Sequence, residues 1–198
     1  MNLPNTITLS RIPLMFVIVG LMYCDFPGAA SLAFLLFIAA AIGDWLDGYI
    51  ARKQGLVTTF GKLMDALTDK IMVMGLVIAM VGNTRHDLPV FLALITLVRE
   101  FLVTGMRMVA AAKGVIVAAD GGGKSKTITQ LIALGFLLAA PMVGRDWARL
   151  AGADLSRADA VVQAIGQWIF YLGTVLAVWS GWRYVDRNRG VVFAGADR

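Results

Sequence analysis

Hydrophobic positions gather into six long runs, at about 8–23, 29–52, 63–82, 88–112, 127–143 and 160–184. Between them lie segments rich in charges and turn formers: "CDFPG", "KQGLVTTFG", "GNTRHD", "KGVIVAADGGGKSK" and "GRDWARLAGADLSRAD". Crossing a hydrocarbon layer about 30 Å thick takes roughly 20 helical residues, which is the scale of these runs. The pattern predicts an all-α integral membrane protein with six transmembrane helices. The opening stretch, "MNLPNTITLSRIPLMFVIVGLMYC", has the layout of a signal peptide, but bulky Met22 and Tyr23 stand where a cleavage site needs small residues. It reads as a retained first span.

Composition agrees. Of 198 residues, 59% are hydrophobic and 16% charged, against about a quarter charged in soluble domains. No linker, low-complexity tract or repeat divides the chain, so 1–198 reads as a single membrane domain. A net charge of +5 would suggest nucleic acid in a soluble protein; here no nucleic-acid partner is expected, because Lys and Arg collect at the cytoplasmic ends of spans. Six spans put both termini on one side. That side receives Arg11, Arg52, Lys53, Lys62, Lys70, Arg107, Lys113, Lys124, Lys126, Arg183, Arg187, Arg189 and Arg198, and the other only Arg85, Arg145, Arg149 and Arg157. The positive-inside rule then makes the termini and the 53–62 and 113–126 loops cytoplasmic. A lone cysteine, Cys24, excludes an internal disulfide, and a lone histidine, His86, argues against a His-based zinc site or a Ser-His-Asp triad.

Against this apolar background, "GDWLDGYIAR" (43–52) stands out. Asp44, Asp47, Gly48, Ala51 and Arg52 fall at offsets 0, 3, 4, 7 and 8, one face of an α-helix. After a short loop, "GKLMDALTD" places Gly61, Asp65 and Asp69 at offsets 0, 4 and 8, a second stripe opening the next helix. Consecutive antiparallel helices bring the stripes face to face, so four carboxylates converge. Such a cluster repels itself unless neutralised. Two divalent cations, Mg²⁺ or Mn²⁺, would resolve the repulsion, since hard ions take oxygen ligands and paired ions suit phosphoryl transfer. Asp44 lies about 20 Å along its span at 1.5 Å per residue, below the cytoplasmic surface but short of the bilayer centre. That depth suits a substrate with a polar head and acyl tails. An ion path and salt-bridged structural acids are the alternatives; intramembrane ionisable groups are functional by default.

At these residues the chain resembles the CDP-alcohol phosphatidyltransferase family, whose signature is D-x-x-D-G-x-x-A-R, a short gap, then G-x-x-x-D-x-x-x-D. Asp44, Asp47, Gly48, Ala51, Arg52, Gly61, Asp65 and Asp69 match every fixed position. The resemblance implies a membrane enzyme that moves a phosphatidyl group from CDP-diacylglycerol to an alcohol and releases CMP. It implies metal ligation by Asp44, Asp47, Asp65 and Asp69, with Asp69 also the general base on the acceptor hydroxyl. Gly48, Arg52, Gly61 and a loop hydroxyl, here Thr58, are implied at the nucleotide lipid. A homodimer in the bacterial inner membrane is implied too, with the active site facing the cytoplasm.

The acceptor is read from the chain's other motifs. "LPNTITLSRIPL" (3–14), "REFLVTGMRMVAAAKG" (99–114) and "GKSKTITQ" (123–130) resemble members whose acceptor is glycerol 3-phosphate. That likeness places Asn5, Thr8 and Arg11 near the nucleotide. Arg107, Lys113, Lys124 and Lys126 are candidates for the acceptor phosphate through charge-assisted hydrogen bonds, the alternative being snorkelling at helix ends. Asp65-Ala66 stands where such members often have Asp-Pro, and "ADGGG" is rich in glycine. Arg99 and Glu100, a charged pair inside an apolar run, are expected to face the interior, pairing there or lining the acceptor pocket. "GGGKSKT" is not a P-loop, because Ala118 stands where its first glycine belongs and no strand precedes it. Gln163, Gln167 and Thr174 form a polar line suited to helix packing or a dimer contact; the Met residues fill gaps. Two rivals stay open: the same chemistry on phosphatidylglycerol, an inositol compound or serine, and a small cation transporter.

Overall fold

The computed structural model describes the backbone of residues 3–53, 59–114 and 121–193; within these, the side chains of 3–5, 45, 47, 51–52, 59–60, 62–63, 121–124 and 190–193 lie outside the description. All regular structure among the described residues is helical: α1 (Leu3–Met22), α2 (Ala29–Lys53), α3 (Thr59–Val81), α4 (Val90–Ala112), α5 (Gly121–Pro141), a π-helical turn (Met142–Trp147), α6 (Ala148–Ala151) and α7 (Ser156–Phe193). Among the described residues, three stretches are long and apolar enough to cross a membrane: Ala29–Ile50, Ser125–Ala151 and Ser156–Arg189. The chain is a membrane protein, and α4 shows the inverted surface that lipid favours. Phe91, Leu94, Val98, Phe101 and Met108 form an exposed apolar stripe, while Thr96 and Glu100 are buried on the opposite face.

Two compact units can be distinguished. The first comprises 1–87 and 134–166; the second comprises 88–133 and 167–198. In the first, α1 packs against both α2 and α3, and each helix buries one stripe. On α1 the stripe is Thr8, Arg11, Met15, Ile18 and Met22; on α2 it is Ala33, Phe37 and Ala40; on α3 it is Thr68, Met72, Leu76 and Met80. The spacing of three and four residues keeps each set on one face. Gly75 of α3 faces Met15 of α1, and a Cβ added there would collide with the Met15 side chain.

The far end of this unit is closed by polar side chains. The Met22 carbonyl at the end of α1 accepts from Asn83 Nδ2 at 3.0 Å and Arg85 Nη1 at 2.9 Å. Asp25 accepts from Arg85 at 2.5 Å and Arg145 at 3.2 Å. His86 is buried, its Nδ1 donating to the Leu137 carbonyl at 3.0 Å, and Gln163 donates to the His86 carbonyl. Burial pushes the imidazole pKa down to about 4, against a smaller upward pull from the Leu137 carbonyl.

Several helices outrun the hydropathy reading, and two of these boundaries bear on packing. The segment after 143 does not break at Gly144 but continues helically through Trp147 to Ala151. The wide turn aims Asp146 at the start of α2, where it accepts from Gly28 N at 3.1 Å and from Ser31 N and Ser31 Oγ at 2.7 Å each. A carboxylate there satisfies N–H groups that α2 cannot bond internally. The helix then ends at Gly152, whose φ of +61° closes a Schellman motif through Ala153 N to Ala148 O. Secondly, α5 begins at Gly121, so the glycine-rich run 121–123 opens a helix.

In the second unit, Val103, Met106 and Tyr184 form an apolar cluster joining α4 to α7. Thr96 faces Thr174 at 3.5 Å, also between α4 and α7. The polar residue Thr174 thus serves packing, as does Gln163 in the first unit.

Candidate functional site

The site grows out of the buried stripes of the first unit. Continued toward the N-terminal end of α1, each stripe changes from apolar to polar. The α2 face runs from Phe37 and Ala40 to Asp44, with Gly48 one turn further on; the α3 face begins at Gly61 and runs through Asp65, Thr68 and Asp69 into Met72. Thr68 is fully buried and bonds its own helix, donating to the Met64 carbonyl at 2.8 Å. Residues 44–52 and 61–69 are helical throughout, so both stripes are true helix faces.

Arg11 brings the stripes together. Its guanidinium, with the side chain only 4% exposed, pairs with Asp44 of α2 and lies 3.0 Å from Asp65 Oδ1 of α3. Asp44 and Asp65 are 41% and 57% exposed, so the acids form the open wall of the site and the cation its floor. One planar cation thus spans two carboxylates from two helices, the bidentate geometry arginine suits. The likeness of the N-terminal segment puts Arg11 near a nucleotide, and the structure sets it between the two acids. The signal was present, since Arg11 falls on the α1 stripe with Thr8, Met15, Ile18 and Met22 and must therefore point inward.

Thr8 is buried on that same face, and Asp69 and Gly61 are partly buried on α3. The side chains of Asn5, Asp47, Arg52 and Lys124 and the whole of Thr58 lie outside the described residues. Among the described residues, no three acid, histidine or cysteine side chains gather around one metal-sized volume. The donor set nevertheless suits hard divalent ions: two carboxylates from facing helices already converge on a positive charge, and an all-oxygen wall is what Mg²⁺ and Mn²⁺ prefer.

The remaining candidates belong to the second unit. Arg107 lies over the Tyr184 ring, 5.5 Å from its centroid. Lys113 is exposed at the C-terminal end of α4, where Gly114, at φ +74°, stops the helix. Lys126 is buried and paired with Glu100, which also accepts from Arg99 Nη1 at 2.7 Å. The interior pairing expected of Arg99 and Glu100 is thus present, with Lys126 as its third member.

A family model described as CDP-alcohol phosphatidyltransferase matches residues 1–179. The chain belongs to this family. Its relatives include a protein of Bacillus subtilis (strain 168), 36% identical over 200 residues, covering 94% of this chain and 95% of the relative. A Rickettsia bellii (strain RML369-C) protein is 37% identical, covering 92% and 93%, and a Salmonella choleraesuis (strain SC-B67) protein is 32% identical, covering 96% of each. All three are named CDP-diacylglycerol--glycerol-3-phosphate 3-phosphatidyltransferase. As a CDP-alcohol phosphatidyltransferase, the chain is a transferase, and the acids converging on Arg11 are the aspartates of the family signature.

Proposed function

We propose that this transferase moves the phosphatidyl group of CDP-diacylglycerol to glycerol 3-phosphate, giving phosphatidylglycerophosphate and CMP for phospholipid biosynthesis. The observation that carries the reading is the Arg11 bridge between Asp44 and Asp65, which sets two acid-bearing helix faces against each other. The names of relatives matching the chain nearly end to end support the acceptor.

In this reaction a glycerol 3-phosphate hydroxyl attacks the phosphorus that carries diacylglycerol. The new P–O bond forms as the bond to CMP breaks, CMP leaves as an anion, and Asp69 takes the hydroxyl proton. Asp44, Asp47, Asp65 and Asp69 would hold two divalent cations, Mg²⁺ or Mn²⁺; when bound, these supply charge neutralisation at the diphosphate and the departing CMP oxygen. Arg52 and Arg11 orient the diphosphate by charge-assisted hydrogen bonds. Gly48 and Gly61 leave room for the nucleotide, and Asn5, Thr8 and Thr58 supply its hydrogen bonds. Arg107, Lys113, Lys124 and Lys126 hold the acceptor phosphate. The enzyme is a six-span homodimer of the bacterial inner membrane, with both termini and the site on the cytoplasmic side.

The test is CMP release by purified protein given CDP-diacylglycerol, Mg²⁺ or Mn²⁺ and a panel of alcohols. Glycerol 3-phosphate is expected to support turnover. Turnover with phosphatidylglycerol, an inositol phosphate or serine, but not with glycerol 3-phosphate, would overturn the acceptor assignment. Cation transport without CMP release would overturn the enzyme reading altogether.

A further inference from the structure

α7 is 38 residues long, about 57 Å at 1.5 Å per residue, and a hydrocarbon layer of about 30 Å covers little more than half of that. The exposed face of the helix shows where the cover ends. Trp168, Leu172, Val175, Trp179 and Trp182 follow one another at spacings of four, three, four and three, and each is more than half exposed. That spacing keeps them on one side of the helix. From Arg183 onward the strongly exposed positions are charged: Arg183, Asp186, Arg187 and Arg189. Tryptophans at the edge of an apolar stripe mark the headgroup layer.

The charges at this border are not evenly matched. Asp186 is taken by Arg189, Nη1 to Oδ1 at 3.7 Å, and among the described residues no carboxylate pairs with Arg183 or Arg187. A long cation at a bilayer rim ordinarily snorkels outward, away from apolar surface. Arg183 does the reverse. It folds back one turn onto Trp179, its guanidinium carbon 4.8 Å from the ring centroid. A guanidinium stacked on a ring keeps its N–H groups in its own plane, where they can still donate. Arg187 stands one turn further along the same side. Two arginines one turn apart, at headgroup depth, are complementary to a phosphate.

We propose that Arg183 and Arg187 hold the phosphate of an anionic phospholipid from the surrounding leaflet, its acyl chains lying along the stripe of Trp182, Trp179 and Val175. The stripe favours a lipid over a soluble phosphate, which has no apolar part to lay against it. The arginine pair favours an anionic headgroup over a zwitterionic one, whose own ammonium would meet like charge.

The experiment places the full-length protein in phosphatidylcholine nanodiscs and replaces a fixed fraction of the lipid with chain-brominated phosphatidylglycerol or chain-brominated phosphatidylcholine. Bromine quenches the tryptophans it touches, so titration with each gives an apparent affinity, and the anionic lipid is expected to win. R183Q or R187Q is expected to lower the affinity ratio about fivefold, the equivalent of the roughly 1 kcal/mol that one surface cation contributes. The double variant brings the ratio close to one. R189Q removes the same charge from the same helix end and is expected to keep at least half of the wild-type ratio. Equal quenching of the wild type by the two lipids overturns the proposal. Equal losses in R183Q and R189Q also overturn it, because they reduce the preference to a diffuse field. Loss of the preference on adding excess inorganic phosphate at constant ionic strength overturns the choice of a lipid as ligand. Should the double variant fail to accumulate, the single variants measured against R189Q decide.

Discussion

Replacing Arg11 with Met takes away the cation between Asp44 and Asp65 while keeping a long side chain on the α1 stripe. Breaking a fully buried pair costs about 3–5 kcal/mol, and an exposed pair costs about 0–1 kcal/mol. Here the cation is 4% exposed and the carboxylates 41% and 57%, so water takes over much of the acids' solvation. The expected loss lies between the two limits, about 2 kcal/mol, or about 4–8 °C in Tm for a chain of this size. The signature is its dependence on divalent ions. Carboxylates left facing each other attract a cation more strongly, and a ligand that binds only the folded state stabilises it in proportion to the logarithm of its concentration over Kd. The Tm gain on adding Mg²⁺ should therefore be larger in R11M than in wild type, and the gap between them should narrow as Mg²⁺ rises. Melting followed by tryptophan fluorescence, in EDTA and across a Mg²⁺ series, measures both. Equal melting in EDTA would refute the bridge; an equal Mg²⁺ gain would refute the claim that Arg11 and the divalent ion answer to the same acids.

Other outcomes follow from the same geometry. Asp69→Asn should lower kcat about 10²–10⁴-fold, the range of a lost general base, while binding of a CDP-diacylglycerol analogue, read by its thermal shift, largely survives; near-normal turnover would remove Asp69 from the base role. His86, held neutral with a pKa near 4 against 6.5 unfolded, contributes stability that is fully present above pH 6.5 and lost as pH falls toward 4. The loss is about 1.4 kcal/mol per pH unit, roughly 3 kcal/mol in all, so Tm plotted against pH should flatten over that window in H86Q. Asp146→Ala strips the first turn of α2 of its acceptor and should cost about 1–2 kcal/mol, seen as a lower Tm with kcat at 25 °C within about twofold of wild type.

Much of this architecture is legible in the sequence because helix periodicity ties spacing to direction. Once 43–52 and 61–69 are helical, Asp44 and Asp47 must share a face, and so must Asp65 and Asp69. Periodicity says nothing, however, about which side chain lies opposite a given face. Arg11, some thirty residues from Asp44 and more than fifty from Asp65, has no local signal naming its partners; only packing of α1 against both helices supplies them. The segment 144–151 shows the opposite failure. Gly144, Arg145 and Asp146 look like a loop, yet the chain stays helical there, and what it presents, the Asp146 carboxylate, finds its partners at Gly28 and Ser31, far away in sequence.

The α1 stripe links the legible part to the rest. Met15, Ile18 and Met22 are buried because they are apolar, and Arg11 is buried because it shares their face. A guanidinium cannot lose its protons at any physiological pH, so once turned inward it must meet carboxylates or pay an uncompensated desolvation cost. Asp44 and Asp65 answer that demand. The acids are in turn held close together, ready for more positive charge than one arginine provides. The same demand is met in the second unit, where the buried Glu100 carboxylate is paired with Arg99 and Lys126.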